Sequence, residues 1–113
     1  MSDDEKQQAY DDFNDAVNMT PKELENWLET DQAKEAGDHG DGGESTGHKS
    51  GRRIVEIKHT KKADLSDADY DHMKKVVGYV KRHLEQKPGK SKDELKGMTW
   101  THSLKNWGHD PLK

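Results

Sequence analysis

Of 113 residues, 37 % are charged, the net charge is -4, and Leu, Ile, Val and Phe together number only 15. So few large apolar side chains allow one small domain with a small core, while the modest net charge leaves self-repulsion too weak to forbid folding. The absence of cysteine excludes disulfides, thiolate metal sites and cysteine nucleophiles, and no apolar run approaches the length of a membrane span.

Residues 4–18 read as a first helix, because Tyr10, Phe13, Ala16 and Val17 recur at helical spacing on an otherwise acidic segment. Thr20-Pro21-Lys22-Glu23 then reads as a helix start: a capping hydroxyl, a proline suited to the first turn, and a glutamate that completes a capping box. Leu24, Trp27 and Leu28 give that second helix its apolar face, and it is expected to run to about Ala33. Glycines at 37, 40, 42, 43, 47 and 51 predict a flexible loop over 34–50.

Residues 51–62 are ambiguous, with β-branched Ile54-Val55-Glu56-Ile57 favouring a strand and the Ile54/Ile57 spacing favouring a helix capped by Ser50. The helix is preferred. The clearest element is 66–87, which Ser66 caps and Pro88-Gly89 terminates, with Tyr70, Met73, Val76, Val77, Val80 and Leu84 as its apolar stripe. A Lys-rich turn from Lys87 to Lys92 leads to a short helix over 100–107, where Trp100, Leu104 and Trp107 fall at i, i+4 and i+7. The expected fold is all-α: one domain over 1–113 with four to five short helices, namely acidic N-terminal helices within 4–33, a flexible Gly-rich loop at 34–50 and a basic helical part over 51–113. Its core is expected from Trp27, Leu28, Val76, Val80, Leu84, Trp100, Leu104 and Trp107.

The mean charge hides a division. Residues 1–47 hold 14 acidic and 3 basic side chains, whereas 48–113 hold 9 acidic and 16 basic, with six of the seven histidines. The second part should attract polyanions and the first repel them. Lys49, Arg52, Arg53, Lys58, Lys61 and Lys62 follow one another with a single carboxylate, Glu56, among them. Lys74, Lys75, Lys81 and Arg82 lie off the apolar stripe of 66–87, with 74/81 and 75/82 each two turns apart. These ten cations are the candidate phosphate contacts, and a helix start near Ser50–Arg53 would add free backbone N–H groups.

No motif points to catalysis, cofactor or metal. Gly42-Gly43-Glu44-Ser45-Thr46-Gly47-His48-Lys49-Ser50 approaches a nucleotide-binding loop, but His48 intrudes before the lysine and no strand precedes it. The histidine pairs 48/59, 72/83 and 102/109 are not spaced as ligands on one helical turn. Trp100 and Trp107 could stack on bases, but at helical spacing in so apolar-poor a chain they are assigned to the core.

Four segments, Val17-Asn18-Met19-Thr20-Pro21-Lys22-Glu23-Leu24-Glu25-Asn26-Trp27-Leu28, Gly43 through Val55, Met73-Lys74-Lys75-Val76-Val77-Gly78-Tyr79-Val80 and Asn106-Trp107-Gly108-His109-Asp110-Pro111, resemble a small microbial family, domain of unknown function 3140. The resemblance covers most of residues 10–113. Members are often named "DNA-binding protein", which implies nucleic acid, DNA before RNA, as the partner; no catalytic residue comes with it.

The expectation is therefore a non-catalytic nucleic-acid-binding protein that contacts backbone phosphates through a basic helical face. The alternative is a protein–protein adaptor or stress-associated module, as a homodimer or with a basic partner held by residues 1–47. The acidic start Met1–Glu5, with no apolar stretch after it, is not expected to be a signal peptide, and the expected location is the cytoplasm, at the nucleoid if DNA is bound.

Overall fold

Six hydroxyl side chains start six helices. Ser2, Thr20, Thr30, Ser45, Ser66 and Ser91 each stand in extended backbone and accept from the amide three residues on, which satisfies a donor that the first turn leaves free. In the computed structural model, which describes residues 1–36 and 43–113, the helices are α1 (Asp3–Ala16), α2 (Pro21–Leu28), α3 (Asp31–Glu35), α4 (Thr46–Lys58), α5 (Asp67–Glu85), α6 (Lys92–Lys96) and α7 (Thr99–Asn106). A 3₁₀ turn, Lys62–Asp64, precedes α5, and there is no strand among the described residues.

The all-α expectation holds among the described residues, with seven helices there rather than four or five. The run expected over 20–33 is broken, because Thr30 turns its hydroxyl back to Trp27 O at 2.7 Å and caps α3 afresh. The short helix α6 follows directly on the Lys-rich turn expected over Lys87–Lys92, in a stretch for which no helix was expected; Ser91 and Glu94 form a capping box there. The preferred helix over 51–62 begins earlier, at Thr46, with Ser45 and not Ser50 as its cap, and ends at Lys58.

That early start also corrects the loop expected at 34–50, since Lys34 and Glu35 belong to α3 and Thr46 to Ser50 belong to α4. Of the remainder, Ala36 and Gly43–Ser45 lie outside any helix, and 37–42 lie outside the described residues. Gly51 serves close packing within α4: a Cβ there would stand 2.6 Å from Asn106 O and 2.7 Å from Leu28 Cδ2.

α7 is the hub, touching α2, α3, α4, α5 and α6, while α1 lies along α5 and α2 along α4. Phe13, Leu24, Ile54, Met73, Val76 and Leu104 are at most 1 % exposed and join five helices in one apolar cluster. Truncating any of them to Ala should cost roughly 2–5 kcal/mol. Leu84 was expected in this core and is 38 % exposed instead, because it falls in the last turn of α5, past Val80. Trp27 and Trp100 are only partly buried, each with an indole N–H to satisfy: Trp27 Nε1 donates to Asn106 Oδ1 at 2.7 Å, and Trp100 Nε1 to His83 O at 2.8 Å.

The C-terminal segment straps α7 to the α1–α2 connection. Gly108, at φ +80°, turns the chain, and Met19 N donates to its carbonyl at 3.2 Å. Asn18 and Asp110 exchange two bonds, Nδ2 to Asp110 O at 2.9 Å and Asp110 N to Oδ1 at 2.7 Å. A Cβ at Gly108 would meet Val17 at 2.8 Å, so the position combines close approach with a left-handed backbone.

Candidate nucleic-acid interface

The ten expected phosphate contacts do not share one face. Five are engaged by side chains of the fold. Arg52 donates to both oxygens of Glu44, with Nε at 2.9 Å from Oε2. Arg53 Nη2 donates to Asp69 Oδ1 at 2.9 Å. Lys58 Nζ donates to Asn14 Oδ1 at 2.7 Å, Lys62 to Gln7, and Lys74 sits 3.6 Å from Glu5 Oε2. Lys58 and Lys62 also lie over the rings of Phe13 and Tyr10, at 5.2 and 4.8 Å from their centroids. The acidic helix α1 thus occupies the side of the basic region that faces it.

Lys49, Lys61, Lys75, Lys81 and Arg82 make no ion pair among the described residues. Lys61 and Lys81 stand alone on the surface. Lys49, Lys75 and Arg82, together with Arg53, converge on two adjoining recesses between α4, α5 and the end of α7. The first, of about 300 Å³, takes Thr46 and Gly47 from α4, Lys75, Tyr79 and Arg82 from α5, and Ser103, Asn106 and Trp107 from the α7 end. The second, of about 270 Å³, shares Thr46, Lys75 and Trp107 and adds Lys49, Ser50, Arg53 and His72. No carboxylate lines either one.

Helical spacing puts this set together. His72, Lys75, Tyr79 and Arg82 recur along one side of α5, at an angle to the core stripe, and so look across to the first turns of α4. Behind the cations runs a stack of rings: His72 on Trp107 at 6.2 Å, Trp107 on Tyr79 at 4.2 Å, and Tyr79 on His83 at 4.2 Å. Their planes lie within 12° to 22° of one another.

The titrating groups record the same field. Burial, then the charges of Arg53 and Lys75, hold His72 below its ordinary value against a backbone hydrogen bond of Ser50 and the charge of Asp69; Ser50 Oγ also lies 2.9 Å from its Nε2. His83 is lowered by burial and by Arg82. Tyr79 is raised by burial, which outweighs a hydrogen bond with Ser103 and the charge of Arg82. On Asp69, the Ser66 amide and the Arg53 guanidinium win over burial and lower the carboxyl.

A contrasting recess lies between α2 and α4, where Glu25, Glu29 and Glu56 stand beside Lys34, His48 and Arg52. Charges of both signs meet there. His48 turns Nε2 to Leu28 O at 2.7 Å and Nδ1 to Glu44, so the ring is used up in tying α4 to α2. No group of three or more His, Asp or Glu converges as metal ligands would among the described residues.

Sequence reasoning placed Trp107 in the core and missed its part in the recess, together with Gly47, Tyr79 and His72. The available signal was the His72/Lys75/Tyr79/Arg82 spacing, but only the tertiary position of α4 gives that side something to face.

Among the described residues the geometry defines a small helical protein with a cationic, carboxylate-free cleft. The family model for the protein of unknown function (DUF3140) matches residues 12–105, and the chain belongs to that family. No curated protein and no solved structure matches the chain.

Proposed function

We propose that this chain is a non-catalytic DNA-binding protein, and that Lys49, Arg53, Lys75 and Arg82 make its principal phosphate contacts. The observation that carries the reading is the pair of recesses lined by those four cations and by no carboxylate, with Lys49, Lys75 and Arg82 outside any ion pair of the described fold and Arg53 shared with Asp69. Phosphate is the natural complement of such a surface, since ammonium and guanidinium groups only donate. Lys81 and Lys61 are exposed and add to the positive field, whereas Lys58, Lys62 and Lys74 contribute less because α1 already engages them. Contacts of this kind set affinity and register without reading bases, so selectivity among sequences is weak. No helix among the described residues is long and apolar enough to cross a membrane, and we place the protein in the cytoplasm, at the nucleoid when DNA is bound.

Fluorescence anisotropy of a labelled, 5′-hydroxyl duplex at about 50 and about 200 mM salt tests the reading. Four phosphate contacts predict a loss of affinity on the order of a hundredfold between those conditions. Absence of binding at the lower salt would transfer the chain to the second reading, a protein–protein adaptor. That reading draws on Asp3, Asp4 and Asp15 of α1, which are exposed and paired with no cation of the described fold.

A further inference from the structure

Trp107 is 4 % exposed, yet its indole N–H reaches no acceptor among the described residues, unlike those of Trp27 and Trp100. No buried side-chain nitrogen or oxygen of the described fold lacks a partner. The N–H must therefore open onto the recess that Trp107 lines with Gly47, Lys75 and Arg82. Gly47 keeps that opening clear, because a Cβ there would stand 3.0 Å from Trp107 Nε1.

Tyr79 stacks on the indole at 4.2 Å and His72 lies nearly parallel to it at 6.2 Å, so the ring is engaged within the fold. A ligand in the recess meets the ring edge, through a hydrogen bond. Around that edge stand other groups that only donate. Lys75 and Arg82 come from α5, and the amides of Thr46 and Gly47, in the first turn of α4, have no acceptor within their helix. Donors converge from three helices with no carboxylate between them, and the complement is a compact anion with several oxygens.

We propose that this recess seats one terminal phosphoryl group, as a phosphate monoester. A monoester brings a charge of about -1.5 to -2 and three free oxygens, enough for the indole N–H, the two cations and the α4 amides together. A phosphodiester of the duplex backbone offers two free oxygens and must lead two ester substituents out between α4, α5 and α7. The seat therefore favours a strand end over a strand middle. The same chemistry is carried by a 5′-phosphorylated nucleic-acid end and by a small free phosphate ester. The proposal shares Lys75 and Arg82 with the DNA reading but does not require it, since duplex affinity is measured separately with 5′-hydroxyl DNA.

The test uses the full chain and three probes: inorganic phosphate, a short 5′-phosphorylated single strand and the same strand with a 5′-hydroxyl. In ¹⁵N-labelled protein, the Trp107 indole signal, assigned by its loss in Trp107→Phe, should shift on titration while those of Trp27 and Trp100 stay in place. The 5′-phosphorylated strand should bind on the order of tenfold tighter than the hydroxyl strand, as one charge-assisted site allows. Trp107→Phe keeps a stacked ring but removes the donor, and should abolish most of that preference. Gly47→Ala should do the same by filling the seat, and Lys75→Gln gives an independent check should Gly47→Ala disturb folding. Equal affinity for inorganic phosphate and the phosphorylated strand would support the seat with a free ester as its ligand. Much tighter binding of the strand would support it with a nucleic-acid end. A Trp107 signal unmoved by phosphate, with no preference for the phosphorylated strand, would overturn the proposal.

Discussion

The two edges of α5 carry similar charge and are treated in opposite ways. On one edge Lys74 faces Glu5 of α1, in a neighbourhood where Lys58 and Lys62 also find partners on that helix. On the other, Lys75 and Arg82 look into recesses that hold donors and aromatic rings but no carboxylate. A count of positive residues would score these edges alike. What differs is the element packed beside each, so the charge available to a partner is a property of the packing. Exposed ion pairs contribute little to stability, and the pairing of α1 matters chiefly for the field it removes from one side of the basic region.

The largest effect should come from undoing the cleft side itself. Asn106 is fully buried, accepts from Trp27 Nε1 at 2.7 Å and donates to Ala33 O at 2.9 Å, so it ties α7 to α2 and to the end of α3. Asn106→Ala would strand both partners and should cost about 2–5 kcal/mol, visible as a fall in Tm of ten degrees or so. An unchanged Tm would mean that the wall of the recess is not held as described.

Acid should weaken the cleft side and the start of α2 in different pH ranges. His72 and His83, both held below the ordinary 6.5, belong to the cleft side. Below that value the unfolded chain binds more protons than the folded one, so their contribution is complete above about pH 6.5 and lost progressively beneath it. In the first turn of α2, Lys113 and the Thr20 amide lower Glu23 from 4.5 to about 2, so its contribution persists to pH 4.5 and fades as the pH falls towards 2. Urea midpoints should already decline between about pH 7.5 and 5.5, and a midpoint that rises over that interval would contradict the histidine assignment. Lys113→Ala should return the Glu23 carboxyl towards 4.5, read by NMR titration.

A smaller effect should follow from releasing one cation on the α1 edge. Glu5→Gln removes the carboxylate beside Lys74 and should raise duplex affinity by about two- to fivefold at low salt, with little change in Tm. A fall in affinity would show that α1 takes part in binding directly.

Much of the fold was legible because local chemistry decided it. The capping boxes at Thr20/Glu23 and Ser66/Asp69 start α2 and α5 where their sequences indicate. The same signature at Ser91/Glu94 was equally readable but was hidden among lysines that suggested a turn. Glycines misled more seriously. Gly47 and Gly51 suggested flexibility, yet they lie within α4, where a Cβ would press on Trp107 at one and collide with Asn106 and Leu28 at the other. That reason is tertiary, and composition cannot express it. The candidate site was legible as a set of cations and no further. Spacing along α5 separates the 74/81 edge from the 75/82 edge, but only the positions of α1 and α4 determine which edge is occupied.

The central claim, that one side is engaged and the other open, is tested most directly by two triple variants of equal charge change. Lys49→Ala with Lys75→Ala and Arg82→Ala should lower duplex affinity at about 50 mM salt on the order of a hundredfold and flatten the salt slope by nearly three. Lys58→Ala with Lys62→Ala and Lys74→Ala should lower it only about threefold and leave the slope close to that of the parent. Equal losses in the two variants would contradict the account, since binding would then follow total charge and not the cleft.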